Sequence, residues 1–472
     1  MKNNIYKYLL AGSVLFGVSC SSDFLEVESR EKIDSEDAGQ IIDPVMMVNG
    51  TYGMLTDWDY AFSWLGVTEI ISDNADKGSA PTDGGGDKLI LDNLDHTSAT
   101  GSISAMWVRF YKTIGRANLA IQYTENYGLT NEAYKNRLIG EAKFLRALHY
   151  FWLVRMFGDV PIQEIDDTES WVVRKPKAEV YAYIEKDLTD AITLLPTKSE
   201  YASEDLGRAT KGAAQGLLAK VYLYEEKWQQ AYDAAGVVMS SGQYGLEDDY
   251  AKIWRLEGEN GKESLFEVQA RGTAIAHGVQ QYSETQGARG AGGWGWGFNT
   301  PSQNLLDAFN AEGDNVRRDA TIIFRGETLY DGRLVPNTVE NAMYNEKAYS
   351  SANLGSGDGD KNVRILRYSD ILLIRAEAAV HIGADAATPL NLVRARVNLA
   401  PIASPKKEDI WKERRLEFAF EHDRWFDINR TGQGKVAMSA HGKNYVVGKH
   451  ELFPIPNSQL IQTPKMTQNP NW

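Results

Sequence analysis

The chain has 472 residues, 43% of them hydrophobic and 24% charged, a globular composition with enough apolar side chains to bury a core. Its formal charge of -14 excludes nucleic acid as a partner, because affinity for a phosphate backbone needs a basic surface, and it favours a neutral ligand over a polyanion. The single cysteine, Cys20, excludes an internal disulfide framework and any cysteine-based zinc site.

Residues 1–19 read as a secretory leader, in which Lys2 and Lys7 precede an apolar run from Leu9 to Val18 too short to cross a bilayer. Gly17-Val18-Ser19 before Cys20 is a small-residue cleavage context similar to a lipobox, with Gly17 in the usual place of leucine. Cys20 is then the acylated first residue and residues 20–40 a tether, held to the membrane by methylenes worth about 0.8 kcal/mol each; the competing role, a buried free cysteine, requires the leader to stay on. The folded part is expected over residues 41–472, as a helical scaffold (41–256 and 363–472) interrupted by a loop-rich insertion (257–362).

Residues 41–55 have helical character, and an aromatic cluster, DWDYAFSW, follows at 57–64. Residues 77–87 are polar and glycine-rich without periodicity and read as a loop. Apolar residues at spacings of three and four predict long helices over 104–127 and 131–157, the second ended by Gly158-Asp159-Val160-Pro161. Another helix over 177–195 is closed by Pro196. Residues 211–243 place Leu218, Ala219, Tyr222, Ala231, Ala235 and Val238 in the register of a tetratricopeptide unit, whose small residues let two helices approach closely. A further pair is predicted over 367–382 and 386–400, broken at Gly383. Such pairs need neighbours to cover their faces, so about four are expected in one scaffold.

The insertion is rich in glycine, asparagine and aromatics. Within it, only residues 302–310 read as clearly helical, while Ser264 to Gln269 alternate like a strand. Loops on a rigid support are where binding residues concentrate.

Residues 410–430, IWKERRLEFAFEHDRWFDINR, predict one central helix touched on several flanks, with Trp411, Phe418 and Trp425 on one face and Leu416 and Phe420 opposite. Arg414, Glu417, Glu421 and Arg424 form a ladder of charges at helical spacing. Glu417 and Glu421 could divide acid and base roles if their surroundings differed. Arginines one turn away would instead keep both ionised, which suits a structural ion-pair network.

The most unusual local sequence is GAGGWGWGF at 290–298. Trp294 and Trp296 stand among glycines where neither helix nor strand would pack them well, and a flat indole suits the C–H face of a sugar ring. Arg289, just ahead of them, is a candidate donor to hydroxyls. The alternative is that both rings tuck into a small core of the insertion. Trp58, Tyr60 and Trp64 form a second candidate platform, Trp64 being the one expected inside, with Asp73, Asn74 and Lys77 as polar partners for hydroxyls. Core packing is the competing role for these rings. Asp358, Asp360 and Asn362 begin a calcium-loop pattern, but Val363 replaces its glycine and Ser369 its glutamate. No metal site, no cofactor fingerprint and no nucleophile elbow is expected.

Three motifs carry a family resemblance. Glu413-Arg414-Arg415, Glu417, Phe418, Glu421, Arg424, Trp425, Asp427 and Arg430 form the first, and Leu452-Phe453-Pro454-Ile455-Pro456 with Gln468-Asn469-Pro470 the second. The third is Thr300-Pro301-Ser302 with Leu305, Phe309, Asp314 and Arg317-Arg318-Asp319. Together they resemble the RagB/SusD family of outer-membrane glycan-binding lipoproteins. The resemblance implies a mainly α fold, a tetratricopeptide-like helix-pair scaffold with a ligand-binding insertion. It also implies a non-catalytic role without cofactor: capture of oligo- or polysaccharide at a site built from N-terminal loops and insertion together, and delivery to a SusC-like TonB-dependent transporter at the cell exterior. An α-helical glycoside hydrolase and a peptide-binding tetratricopeptide adaptor are the alternatives.

Overall fold

The computed structural model describes residues 43–472 apart from 81, 84–85, 166–167, 273–277 and 351–358. The expected leader, Cys20, the tether and Asp358 lie outside the described residues. Helix α1 (Pro44–Gly53) begins on a proline, whose missing amide has no helical partner to lose. Helix α2 (Trp58–Leu65) is capped by Asp57, whose carboxylate accepts the Asp59 amide at 3.0 Å. Strand β1 (Ala75–Gly78) and helix α3 (Gly86–Asp92) take only the two ends of the stretch expected as a loop. The strand exists because its partner lies far down the chain, which local composition does not reveal.

The predicted long helices are present. Helices α4 (Gly101–Asn126) and α5 (Glu132–Phe157) are followed by α6 (Lys177–Leu194), α7 (Lys211–Tyr224) and α8 (Trp228–Ser240). Asn131 caps α5 and Thr210 caps α7. Each helix packs on the next. Between α7 and α8 the small side chains Ala219, Ala231 and Ala235 are buried with Leu218 and Val238, so the two axes lie close.

The insertion leaves and returns through one neck: β2 (Ser264–Val268) pairs antiparallel with β6 (Val363–Arg367), Ser264 opposite Arg367 and Val268 opposite Val363. Between them lie α9 (Val279–Gln286), β3 (Phe298–Pro301), α10 (Gln303–Glu312), α11 (Asn315–Asp319), β4 (Ile322–Phe324) and β5 (Met343–Asn345). Strand β3 pairs with β1, and β4 with β5, both antiparallel. Helices α9 and α11 are additional to the one expected; both are short, and α9 owes its place to packing against α2.

Helix α12 (Tyr368–Ile382) resumes the stack against α8, and α13 (Ala387–Arg396) folds back on it after Gly383. The chain ends with α14 (Lys407–Glu417), α15 (Arg424–Arg430), α16 (Gly434–Ala440) and α17 (Asn457–Gln462).

The single helix expected over 410–430 is therefore two, and the break has a cause. The Glu417 carbonyl accepts from Tyr250 Oη at 2.8 Å, Lys347 Nζ at 3.0 Å and Arg367 Nη2 at 2.9 Å, so it no longer needs the amide four residues on. Phe420 and His422 then turn into left-handed backbone, at φ 65° and 70°. The expected ladder is also redistributed. Glu417 pairs with Arg317 at 3.1 Å, with Arg367 at 2.6 Å and with Arg396, all fully or almost fully buried. Arg414 reaches Asp370 and Asp427, and Arg424 reaches Asp73. Burial alone would raise the Glu417 carboxyl, but Arg396, Arg367 and Arg317 hold it well below the usual carboxylate range. The network role survives; the partners come from the insertion, from β6 and from α13.

Candidate functional site

Helix α2 sets Trp58 and Phe62 one turn apart, so their rings stack with centroids 5.2 Å apart and planes at 28°. Trp296 arrives from the insertion and meets Trp58 at 5.6 Å and 58°, and Phe62 at 6.3 Å and 81°. Phe298 supports Phe62 from the interior at 5.0 Å. Trp58, Phe62 and Trp296 are each half-buried, so none of the three is sealed inside the protein.

Three contacts hold Trp296 there. Its amide donates to the Glu284 carbonyl on α9 at 2.9 Å, the Ser79 amide donates to Gly297 O at 2.6 Å, and Gly78 opposes Phe298 in the β1–β3 ladder. Gly78 has φ 66°, and a Cβ there would lie 2.3 Å from Gly297 O, so the close approach requires glycine. Gly295 is required for the same reason, since its Cβ would meet Glu284 O at 2.3 Å.

The two tryptophans of the glycine loop do not act as a pair. Trp294 meets Tyr349 edge-on at 5.4 Å, lies 5.0 Å from the Arg333 guanidinium, and packs against the insertion's own core of Ala288, Ile323, Val335 and Tyr344. The structure thus joins Trp296 to Trp58 and sets Trp294, itself half-buried, against the insertion's own core. Phe62 was not among the expected site residues; its spacing of four from Trp58 behind a capping aspartate was the available signal.

Around the rings the charges are paired. Arg289 lies between Asp83 at 2.5 Å and Glu340 at 2.9 Å, and the hydrogen bond from Ser79 holds the Asp83 carboxyl below its ordinary range. Lys88 Nζ sits 4.1 Å over the Phe62 ring, 3.0 Å from Asp87 and 2.6 Å from Ser102 Oγ. Arg109 bridges the capping Asp57 and Asp59 of α2 at 2.9 and 2.7 Å. Burial pushes the Glu284 carboxyl up, opposed by a hydrogen bond from Trp296.

Four expected contacts are corrected. Tyr60 packs against Phe110 and Trp152, and its hydroxyl donates to His149 Nε2 at 2.9 Å, so it belongs to the core. Burial pushes His149 down to about 4 and keeps it neutral, its Nδ1 donating to Leu145 O. Asp73 is 1% exposed and bound to Arg424 at 2.7 Å and Arg415 at 3.2 Å. Asn74 is fully buried and accepts from Arg415 Nε at 2.9 Å. Lys77 is 4% exposed and donates to Ala80 O at 2.8 Å. These polar groups satisfy the interior because the chain turns inward after α2, where Arg415 and Arg424 wait without other carboxylates as close. Trp64 is buried, as expected. At the partial calcium pattern, the Asn362 amide group is engaged with Glu267 and the Ala270 amide. Among the described residues no group of three or more metal-ligating side chains is assembled.

This helical stack, with its loop-rich insertion strapped back onto the N-terminal helices, is a fold shared with solved SusD-like proteins. Residues 23–223 match a SusD-like family model described as starch-binding and associating with the outer membrane, and residues 262–472 match the SusD family model. The chain belongs to the SusD family. It is 29% identical over 471 residues to the SusD-like protein P2 of Formosa agariphila, covering 89% of this chain and 90% of that one. It is 24% identical over 436 residues to the starch-binding protein SusD of Bacteroides thetaiotaomicron, covering 77% of each. Among solved structures, a laminarin-binding SusD-like protein superposes with a TM-score of 0.79 at 27% identity, over 91% of this chain and 99% of that one. No described helix is long and apolar enough to cross a membrane.

Proposed function

We propose that the protein is a non-catalytic glycan-binding lipoprotein, anchored to the outer membrane through acylated Cys20 and facing the exterior. It captures oligo- or polysaccharide and passes it to a SusC-like TonB-dependent transporter. The observation that carries this reading is the half-open group of Trp58, Phe62 and Trp296. Water covers such rings poorly, and the C–H faces of sugar rings cover them well. The tilt of 58° between the two indoles suits a chain that curves over them better than a flat ribbon. Relatives named for laminarin and starch binding agree with a glycan ligand.

The hydrolase alternative has one observation in its favour, the carboxyl of Glu284 beside Trp296, raised by burial. Incubation with laminarin and starch, followed by an assay for new reducing ends, separates the two. Binding without turnover supports the proposal; sustained turnover that is lost in Glu284→Gln overturns it.

A further inference from the structure

We propose that the aromatic shelf selects uncharged glycans and turns away those bearing uronate or sulfate groups, an inference that rests on the glycan-binding reading above. An anionic sugar needs a free cation at its site, ideally a guanidinium able to grip a carboxylate or sulfate with two donors. The cations flanking the shelf are already engaged. Arg289, 33% exposed, is shared by Asp83 and Glu340, and Arg109 is shared by Asp57 and Asp59. Lys88 is 3% exposed and committed to Asp87. With Lys77, which lies 5.2 Å from the Phe298 ring and interacts with Asp83, four cations face five carboxylates among the described residues, and the rim carries excess negative charge. Arg333 lies over the faces of Trp294 and Tyr349, two rings that pack in the insertion's own cluster.

An incoming carboxylate would meet like charge and would have to displace a resident one to gain a partner. A hydroxyl meets neither obstacle, because it can accept from Arg289 or donate to Glu340 while the ion pairs stay closed. The overall charge of -14 acts in the same direction at longer range.

The test is affinity gel electrophoresis of the full chain in detergent, with laminarin and starch as neutral probes and polygalacturonate and dextran sulfate as anionic ones, at low and high salt. Retardation by a neutral glycan and by neither anionic one is expected. Asp83→Asn with Glu340→Gln releases Arg289 and should gain retardation in polygalacturonate by about 3-fold, the scale of an exposed charge pair, and lose it in high salt. Glu340→Gln alone, at a side chain 40% exposed, gives the same change in smaller degree without touching the loop bonds that Asp83 makes. Salt-sensitive retardation of the unaltered chain by an anionic glycan overturns this inference and leaves the glycan reading standing, as does a double variant that gains nothing. Retardation by no glycan of either kind overturns the glycan reading itself.

Discussion

The indole of Trp58 lies 5.6 Å from that of Trp296 at an angle of 58°, one on the first turn of α2 and the other in a glycine loop of the insertion. The contact joins two distant stretches of chain, and both residues are half-buried.

Removing either ring should weaken glycan retention by about 10-fold, the scale of an aromatic anchor at a binding surface. Because the rings touch, Trp58→Ala with Trp296→Ala should fall short of the sum by about 0.5–1.5 kcal/mol. Dissociation constants for the two single variants and the double variant measure this. Independent losses that simply add would remove the rings from a common site. Trp294→Ala should act differently, lowering the melting temperature through its place in the insertion's core.

Gly78→Ala should damage the site without touching it. The added Cβ meets Gly297 O at 2.3 Å and Thr300 Cγ2 at 2.6 Å in left-handed backbone, a strain of about 1–3 kcal/mol that is relieved by opening the β1–β3 ladder. Trp296 then swings from Trp58, so glycan retention and thermal stability should fall together. Undiminished retention would show that the ladder does not set the indole geometry.

Glu417→Gln removes a counter-charge shared by Arg317, Arg367 and Arg396 and should cost about 3 kcal/mol in urea unfolding, the low end for breaking a buried ion pair, because Asp314, Glu413, Glu421 and Glu263 still face these arginines. The native carboxyl is held far below its ordinary 4.5, so its contribution is complete above that value and disappears as pH falls toward the folded one. The wild-type chain should lose more stability on acidification than the variant. Parallel pH curves would contradict the pairing.

Glu69 titrates the other way. It is fully buried, and burial pushes its carboxyl up to about 8 against the hydrogen bond from the His422 amide and the charge of Lys347. Between the ordinary 4.5 and about 8 the folded state keeps a proton that the unfolded state releases. Stability therefore falls as pH rises through that window, by at most about 1.4 kcal/mol per pH unit. Glu69→Gln, neutral throughout, should flatten this descent when unfolding midpoints are compared at about pH 6.5 and about pH 8. An unchanged slope would mean that Glu69 is ionised inside the fold.

The helices from α4 to α8 and α12 were legible because their apolar spacing, caps and breakers are local properties. The Glu413–Arg430 motif was legible as a family signature for a different reason, since its charges serve a buried network that a surface helix would not need. What stayed hidden depends on distant partners. Strand β1 needs β3, α9 needs α2, and the break after Glu417 needs Tyr250, Lys347 and Arg367. The same blindness misplaced Asp73 and Asn74, whose guanidinium partners stand some hundreds of residues away, and it grouped Trp294 with Trp296 on the strength of adjacency alone.

The ladder between β1 and β3 also governs how such a protein can be re-engineered. A cassette made of residues 257–362 from a relative would bring one indole and its loop but leave behind Ser79, Gly78 and the ring on α2 that orient them. Transplanting ligand preference thus means moving two separate stretches of chain at once, and a graft of the insertion alone should arrive with its tryptophan facing an unfamiliar wall.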